Sequence, residues 1–169
     1  RQLHRWNQLL AEARNAGVAA EGLDGAGVRY ANRVALSTTP NEFLALATVL
    51  SQQSTILDGR MAAFRIARAQ ADGAAQTART LLASAAQYPQ LNLAEFRDQI
   101  ATATAKVPAV HSADAFAPIV GQLQQTAVGI QGLLNARSGA YNQLADTRST
   151  LASAQSIGAL IGNVPSKIN

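Results

Sequence analysis

Cysteine is missing from all 169 residues, which removes disulfides, thiolate metal sites and cysteine nucleophiles together and leaves the redox compartment open. Rings are scarce: one Trp, three Tyr and four Phe make up 5% of the chain, too few for a thick core built on large aromatics. Charge is sparse as well, at 14% against about 25% in ordinary domains. A net charge of +4 is too small to hold a chain that is 48% apolar in an expanded state, so disorder is excluded. No run approaches about 18 consecutive apolar residues, so no segment reads as a membrane-spanning helix.

What is present is alanine, at more than one position in five. That mixture suits thin helices packed closely through small side chains. The length fits one ordinary domain or two small ones. Basic residues are 12 Arg and 2 Lys, with a pI near 10.1. Joined to so much Ala, that bias points to a GC-rich bacterial genome, which concerns codons and not partners. The chain opens on Arg1 and closes on Pro165-Ser166-Lys167-Ile168-Asn169, and it reads as a piece of a longer protein.

Apolar residues recur at three- and four-residue steps, the signature of helices. One stripe runs Phe43, Leu46, Leu50, Leu57, Met61 and Phe64, then on through Ala71, Ala75, Ala78 and Leu82. Another runs Phe116, Ile119, Leu123, Ile130, Leu134, Tyr141, Leu144 and Leu151. No sustained strand-like alternation occurs, so the fold class is all-α. Thr39-Pro40-Asn41-Glu42 has the form of a capping box, and Ser112-Ala113-Asp114 sets a hydroxyl cap before an acid in a first turn. Breaks fall at Gly17, at the Gly22–Gly27 cluster, at Tyr88-Pro89 and at Val107-Pro108. Helices are therefore expected over 2–16, 20–36, 40–86, 92–106 and 112–161, the second starting near residue 26 if its glycines delay it.

Sliding the chain against itself by 73 positions aligns these starts. Thr39 falls on Ser112, Phe43 on Phe116, Leu50 on Leu123, Gln52 on Gln125, Gly59 on Gly132 and Gln70 on Gln143. The same offset lays Leu9 on Leu82 and Ala13 on Ala86, so residues 2–14 match the end of the helix 40–86. The expected layout is an elongated set of tandem three-helix bundles sharing long helices, spectrin-like, with a repeat of about 73 residues. Residues 1–60 form a first unit, 61–135 a second, 136–162 a continuing or capping helix, and 163–169 a linker. The first helix then reads as the tail of another long helix. A 47-residue helix measures roughly 70 Å, which makes a rod if it is unbroken and something squatter if it kinks at Gly73.

Ala-rich repeats with a cap of the form Thr-Pro-Asn-Glu-Phe (Thr39 to Phe43) resemble the helical regions beside the catalytic domains of secreted bacterial peptidoglycan transpeptidases and peptidases. The likeness covers about residues 20–160. It implies a stalk or binding module outside the membrane, with catalysis elsewhere in the protein. The catalytic motifs of those enzymes do not occur, so no residue role is carried over.

The residues themselves point away from chemistry. His4 and His111 have no ligand-like neighbour at metal spacing, and they read as a solvent-facing helix residue and a loop residue. No Gly-x-Ser-x-Gly or Walker loop occurs, and the Gly22–Gly27 run follows no strand and reads as a flexible loop. A Ser-His-Asp triad assembles in space and is not judged from spacing. Glu95 and Asp98, three apart, read as helix-surface acids. Arg60, Arg65, Arg68 and Arg79, interleaved with Asp58 and Asp72, are too sparse for a nucleic-acid reader. Trp6, Tyr30, Tyr88 and Tyr141 read as packing residues and not as a sugar platform. Gly121, Gly129, Gly132, Gly139, Gly158 and Gly162 each cost about 1 kcal/mol relative to Ala, which points to close helix approach or deliberate weakening at the joint between units, with a ligand groove lined by them as the alternative. The expectation is a non-catalytic spacer or interaction module, extracytoplasmic or secreted and bacterial. It has no catalytic, cofactor-binding or metal-binding residues and no nucleic-acid partner. A cell-wall polymer or another envelope protein is its expected partner. The alternative is an extracytoplasmic helical ligand-sensing domain of a membrane receptor.

Overall fold

The computed structural model describes residues 1–19, 23 and 25–162. These residues form five α-helices and no strand: α1 (Gln2–Asn15), α2 (Ala26–Leu36), α3 (Pro40–Ala85), α4 (Ala94–Lys106) and α5 (Ala117–Gly162). Two 3-10 turns, Val107–Ala109 and Asp114–Phe116, lie between α4 and α5. The all-α expectation holds. The ends of α1, α3 and α4 fall within two residues of the sequence reading, and α2 takes the later start. Gly22, Asp24 and the linker expected over 163–169 lie outside the described residues.

Local chemistry sets the start of α3. Thr39 Oγ1 accepts from the Glu42 N–H at 3.3 Å, while Glu42 Oε2 accepts from the N–H groups of Thr39 and Thr38 at 3.0 and 2.8 Å. Pro40 then occupies the first helical position, where a missing N–H costs nothing. The parallel expectation for Ser112 fails. No side-chain cap forms there, and α5 is entered through the 3-10 turn, with the Phe116 N–H bonded to the Ala113 carbonyl at 3.2 Å. The reason is local: residue 115 is Ala, so nothing stands in the place of Glu42 to complete a reciprocal box.

α3 passes through Gly59 and Gly73 as one 46-residue helix, about 70 Å long at 1.5 Å per residue. The connection between α2 and α3 spans only residues 37–39, so the chain reverses there and α2 runs against α3. α3 and α5 run the same way, Gln70, Ala74 and Thr77 lining one groove with Val120, Gln124 and Ala127.

Two buried clusters lie along α3. The first gathers Trp6, Leu9, Leu10 and Ala13 of α1, Ala26 of α2, and Leu46, Leu50, Leu57, Met61 and Phe64 of α3. The second gathers Ala75, Ala78 and Ala85 of α3, Ile100 and Ala103 of α4, and Ile119, Leu123 and Ile130 of α5. Leu57, Leu123 and Ile130 are fully buried, each contributing about 1.5–3 kcal/mol by removal from water. At the end of the first cluster Phe64 and Phe116 pack edge to face.

Small side chains keep the helices close but leave much surface open. The accessible area is 11377 Å², against about 7,900 Å² expected for a compact monomer of this mass. Part of the excess is α5 itself, in which every residue from Ser138 to Gly158 is exposed.

Candidate functional site

Where α1 ends, Gly17 takes a φ of +77°, the left-handed conformation that glycine adopts without steric cost. Its carbonyl lies 2.9 Å from His111 Nδ1, and the Ala19 N–H donates to the His111 carbonyl at 2.8 Å. Two loops 94 residues apart in sequence are thereby clipped together. A carbonyl only accepts, so Nδ1 carries the proton. Beside the clip a cleft of about 370 Å³ is lined by Arg60, Phe64, His111, Ser112 and Asp114.

That cleft brings a serine, a histidine and an aspartate together, but not as a triad. In a Ser-His-Asp triad the carboxylate holds Nδ1–H and the serine faces the other ring nitrogen. Here the Gly17 carbonyl takes the Nδ1–H, and no hydrogen bond joins Ser112, His111 and Asp114. His111, Ser112 and Asp114 are all exposed to water. His4 is exposed on α1, far along the helix from this cleft. Among the described residues no group of three His, Asp or Glu side chains gathers at metal-binding distance.

The carboxylates expected on helix surfaces are there. Glu95 and Asp98 are exposed on α4. Glu95 Oε1 accepts from Gln99 Nε2 at 3.0 Å, and Gln99 Oε1 accepts from the Thr126 hydroxyl at 3.0 Å. This chain ties α4 to α5 and satisfies the buried Thr126, whose hydroxyl also reaches the Gln122 carbonyl at 2.8 Å. An open groove of about 410 Å³ beside it presents Phe96, Gln99, Gln122 and Gln125. Glu42 has its carboxyl held below the usual range by the backbone N–H of Thr38 and then that of Thr39. Arg60, Arg65, Arg68 and Arg79 are exposed. Arg5 reaches Asp58 at 3.5 Å, an exposed pair of small worth.

The aromatic residues divide. Trp6 is fully buried, edge to face with Tyr30 at 6.2 Å, and its Nε1 has no hydrogen-bond partner. Gly27 belongs to the first turn of α2 and not to a loop, and an added Cβ there would stand 2.9 Å from Asn7 Oδ1 and 3.8 Å from the Trp6 nitrogen. At the other end, the Arg137 guanidinium sits 3.5 Å from the ring centre of Tyr88 and 4.4 Å from that of Tyr141. A face of each ring is occupied by this cation, as expected for a packing cluster.

Close approach explains one of the α5 glycines and not the rest. A Cβ on Gly129 would lie 2.8 Å from the Phe96 ring, whereas Gly121, Gly132, Gly139 and Gly158 have nothing within 4 Å. Close approach is corrected at those four positions: Gly121 and Gly132 fall on the open side of the packed half of α5, and Gly139 and Gly158 in its exposed second half. The surroundings of Gly162 lie outside the described residues.

No described helix is long and apolar enough to cross a membrane. Set beside known proteins, the chain matches no family model, no curated sequence and no solved structure.

Proposed function

We propose that the chain is a non-catalytic helical spacer and interaction module of a bacterial cell-envelope or secreted protein. It is built from tandem three-helix units that share long helices in the spectrin manner, with a period of about 73 residues. The observation that carries this reading is α3, which lines one core from Leu46 to Ala71 and the next from Ala75 to Ala85. A helix shared in this way transmits orientation from one unit to its neighbour, which is what a spacer has to do.

Burial supports the period along one stretch of the long helices. Leu46, Leu50, Ser54 and Leu57 are buried in α3, and 73 positions on Ile119, Leu123, Ala127 and Ile130 are buried in α5. In the antiparallel helices the inward residues Ala26, Gly27, Tyr30 and Val34 fall on Gln99, Ile100, Ala103 and Val107, none of them exposed. The first helix departs by one residue. Trp6 and Ala13 match the fully buried Ala78 and Ala85 at an offset of 72, whereas Ala86, the partner of Ala13 at 73, is exposed. One residue more or less in a connecting loop accounts for such a slip.

The envelope location and a wall polymer or envelope protein as partner rest on the resemblance carried by Thr39 to Phe43. Purified chain incubated with peptidoglycan sacculi tests the reading. It is expected to release no muropeptide and to sediment in part with the sacculi. Turnover that disappears on replacing His4, His111, Glu95 or Asp98 contradicts it.

A further inference from the structure

The second half of α5 is a helix without a core. All residues from Ser138 to Gly158 are exposed, among them Tyr141 at 51%, Leu144 at 47% and Leu151 at 57%. In the 73-residue spacing Tyr141 stands where α3 has the exposed Arg68, but the places of the two leucines are not neutral ones. Leu144 stands where α3 has Ala71 and Leu151 where it has Ala78, both fully buried. In α3 Ala78 belongs to the second buried cluster, formed with α4 and the first half of α5, and Ala71 to the first, which Phe116 joins from the turn leading into α5. Residues that large are costly to leave in water on the one face that its counterpart buries.

Resting on the tandem reading above, we propose that residues 138–158 of α5 are the docking face for an α4–α5-type helix pair, the next unit of the same repeat, continuing in phase. The occupant lays an antiparallel helix and then a parallel helix against Leu151, as α4 and α5 lie against Ala78, with its entering turn beside Leu144 as Phe116 joins the cluster of Ala71. Two positions define how it differs from the unit seen here. Arg137 takes the place of Phe64, so the entering ring meets a guanidinium already stacked on Tyr88 and Tyr141. Arg148 takes the place of the buried Ala75, so the partner brings an acceptor to that seat.

The absence of native cysteine makes the test direct. Single cysteines replace Leu144 and Leu151, on the covered face, and Ser149 and Ala152, whose counterparts Gln76 and Arg79 are exposed. Each is made in the present chain and in a tandem chain in which residues 90–162 follow Gly162 once more, and maleimide labelling is timed. In the present chain all four thiols are expected to react at similar rates. In the tandem chain Leu144→Cys and Leu151→Cys are expected to slow by about tenfold or more, because reaction then waits for local opening. Ser149→Cys and Ala152→Cys stay fast. Should all four stay fast, the same series in an Arg148→Ala tandem decides, and uniform labelling there overturns the proposal. Slow Leu144→Cys in the present chain that quickens on dilution identifies a second copy as the occupant and overturns it equally. Either failure leaves the spacer reading standing if scattering still reports a rod.

Discussion

Phe64, in the middle of α3, and Phe116, in the turn that leads into α5, meet edge to face with ring centres 5.3 Å apart and planes 66° apart. The pair closes the first core at the point where the second begins. Phe43 holds the same place as Phe116 in the 73-residue spacing, yet it is 45% exposed while Phe116 is 1% exposed. Two phenylalanines 73 positions apart, each near the start of a long helix, are therefore unequal in packing.

Phe116→Ala is expected to cost about 3–5 kcal/mol, the range for emptying a buried ring site. Phe43→Ala is expected to cost about 1 kcal/mol or less, since much of its ring stays in water. Urea unfolding midpoints read both, and equal losses contradict the joint as described.

Thr39→Ala removes the acceptor for the Glu42 N–H and is expected to cost about 0.5–2 kcal/mol. Ser112→Ala removes no cap and is expected to stay within about 0.5 kcal/mol of the parent. A loss at Ser112 as large as that at Thr39 contradicts the 3-10 entry to α5.

How much of this is legible in the sequence depends on how far apart the interacting residues lie. Thr39, Pro40 and Glu42 sit within four positions, so their box shows in the sequence itself. The length of α3 is also legible, because its apolar steps continue unbroken from Phe43 to Leu82. Ser112 misleads because a hydroxyl and a following acid imitate a cap, whereas the missing acid at position 115 decides the geometry. The clip from His111 to Gly17 spans 94 positions and leaves no local pattern. The glycines of α5 mislead because spacing shows that they share a helix and not whether anything faces them.

Those glycines give a separate expectation. Gly121→Ala, Gly132→Ala and Gly139→Ala meet open space and are expected to raise stability by about 0.5–1 kcal/mol each. Gly129→Ala is expected to rank below them, since its Cβ displaces the Phe96 ring. Thermal midpoints in which Gly129→Ala gains most contradict the close approach of α4 and α5.

Glu42 sets the expected acid response of the α3 start. Its carboxyl titrates below the ordinary glutamate range in the folded chain because it accepts from Thr38 and Thr39. Its stabilising contribution is therefore present above the unfolded value and is lost as pH falls through the lowered one. Glu42→Gln is expected to flatten the pH dependence of the unfolding midpoint across that acid interval. An unchanged acid limb contradicts the reciprocal box.

Small-angle X-ray scattering of the monomeric chain tests the central claim, an extended array strung on shared helices. Such an array has a maximum dimension above the length of α3, about 70 Å, and a radius of gyration well above the value of about 15 Å expected for a compact chain of this length. A radius of gyration at that compact value, with all pair distances falling short of α3, contradicts it.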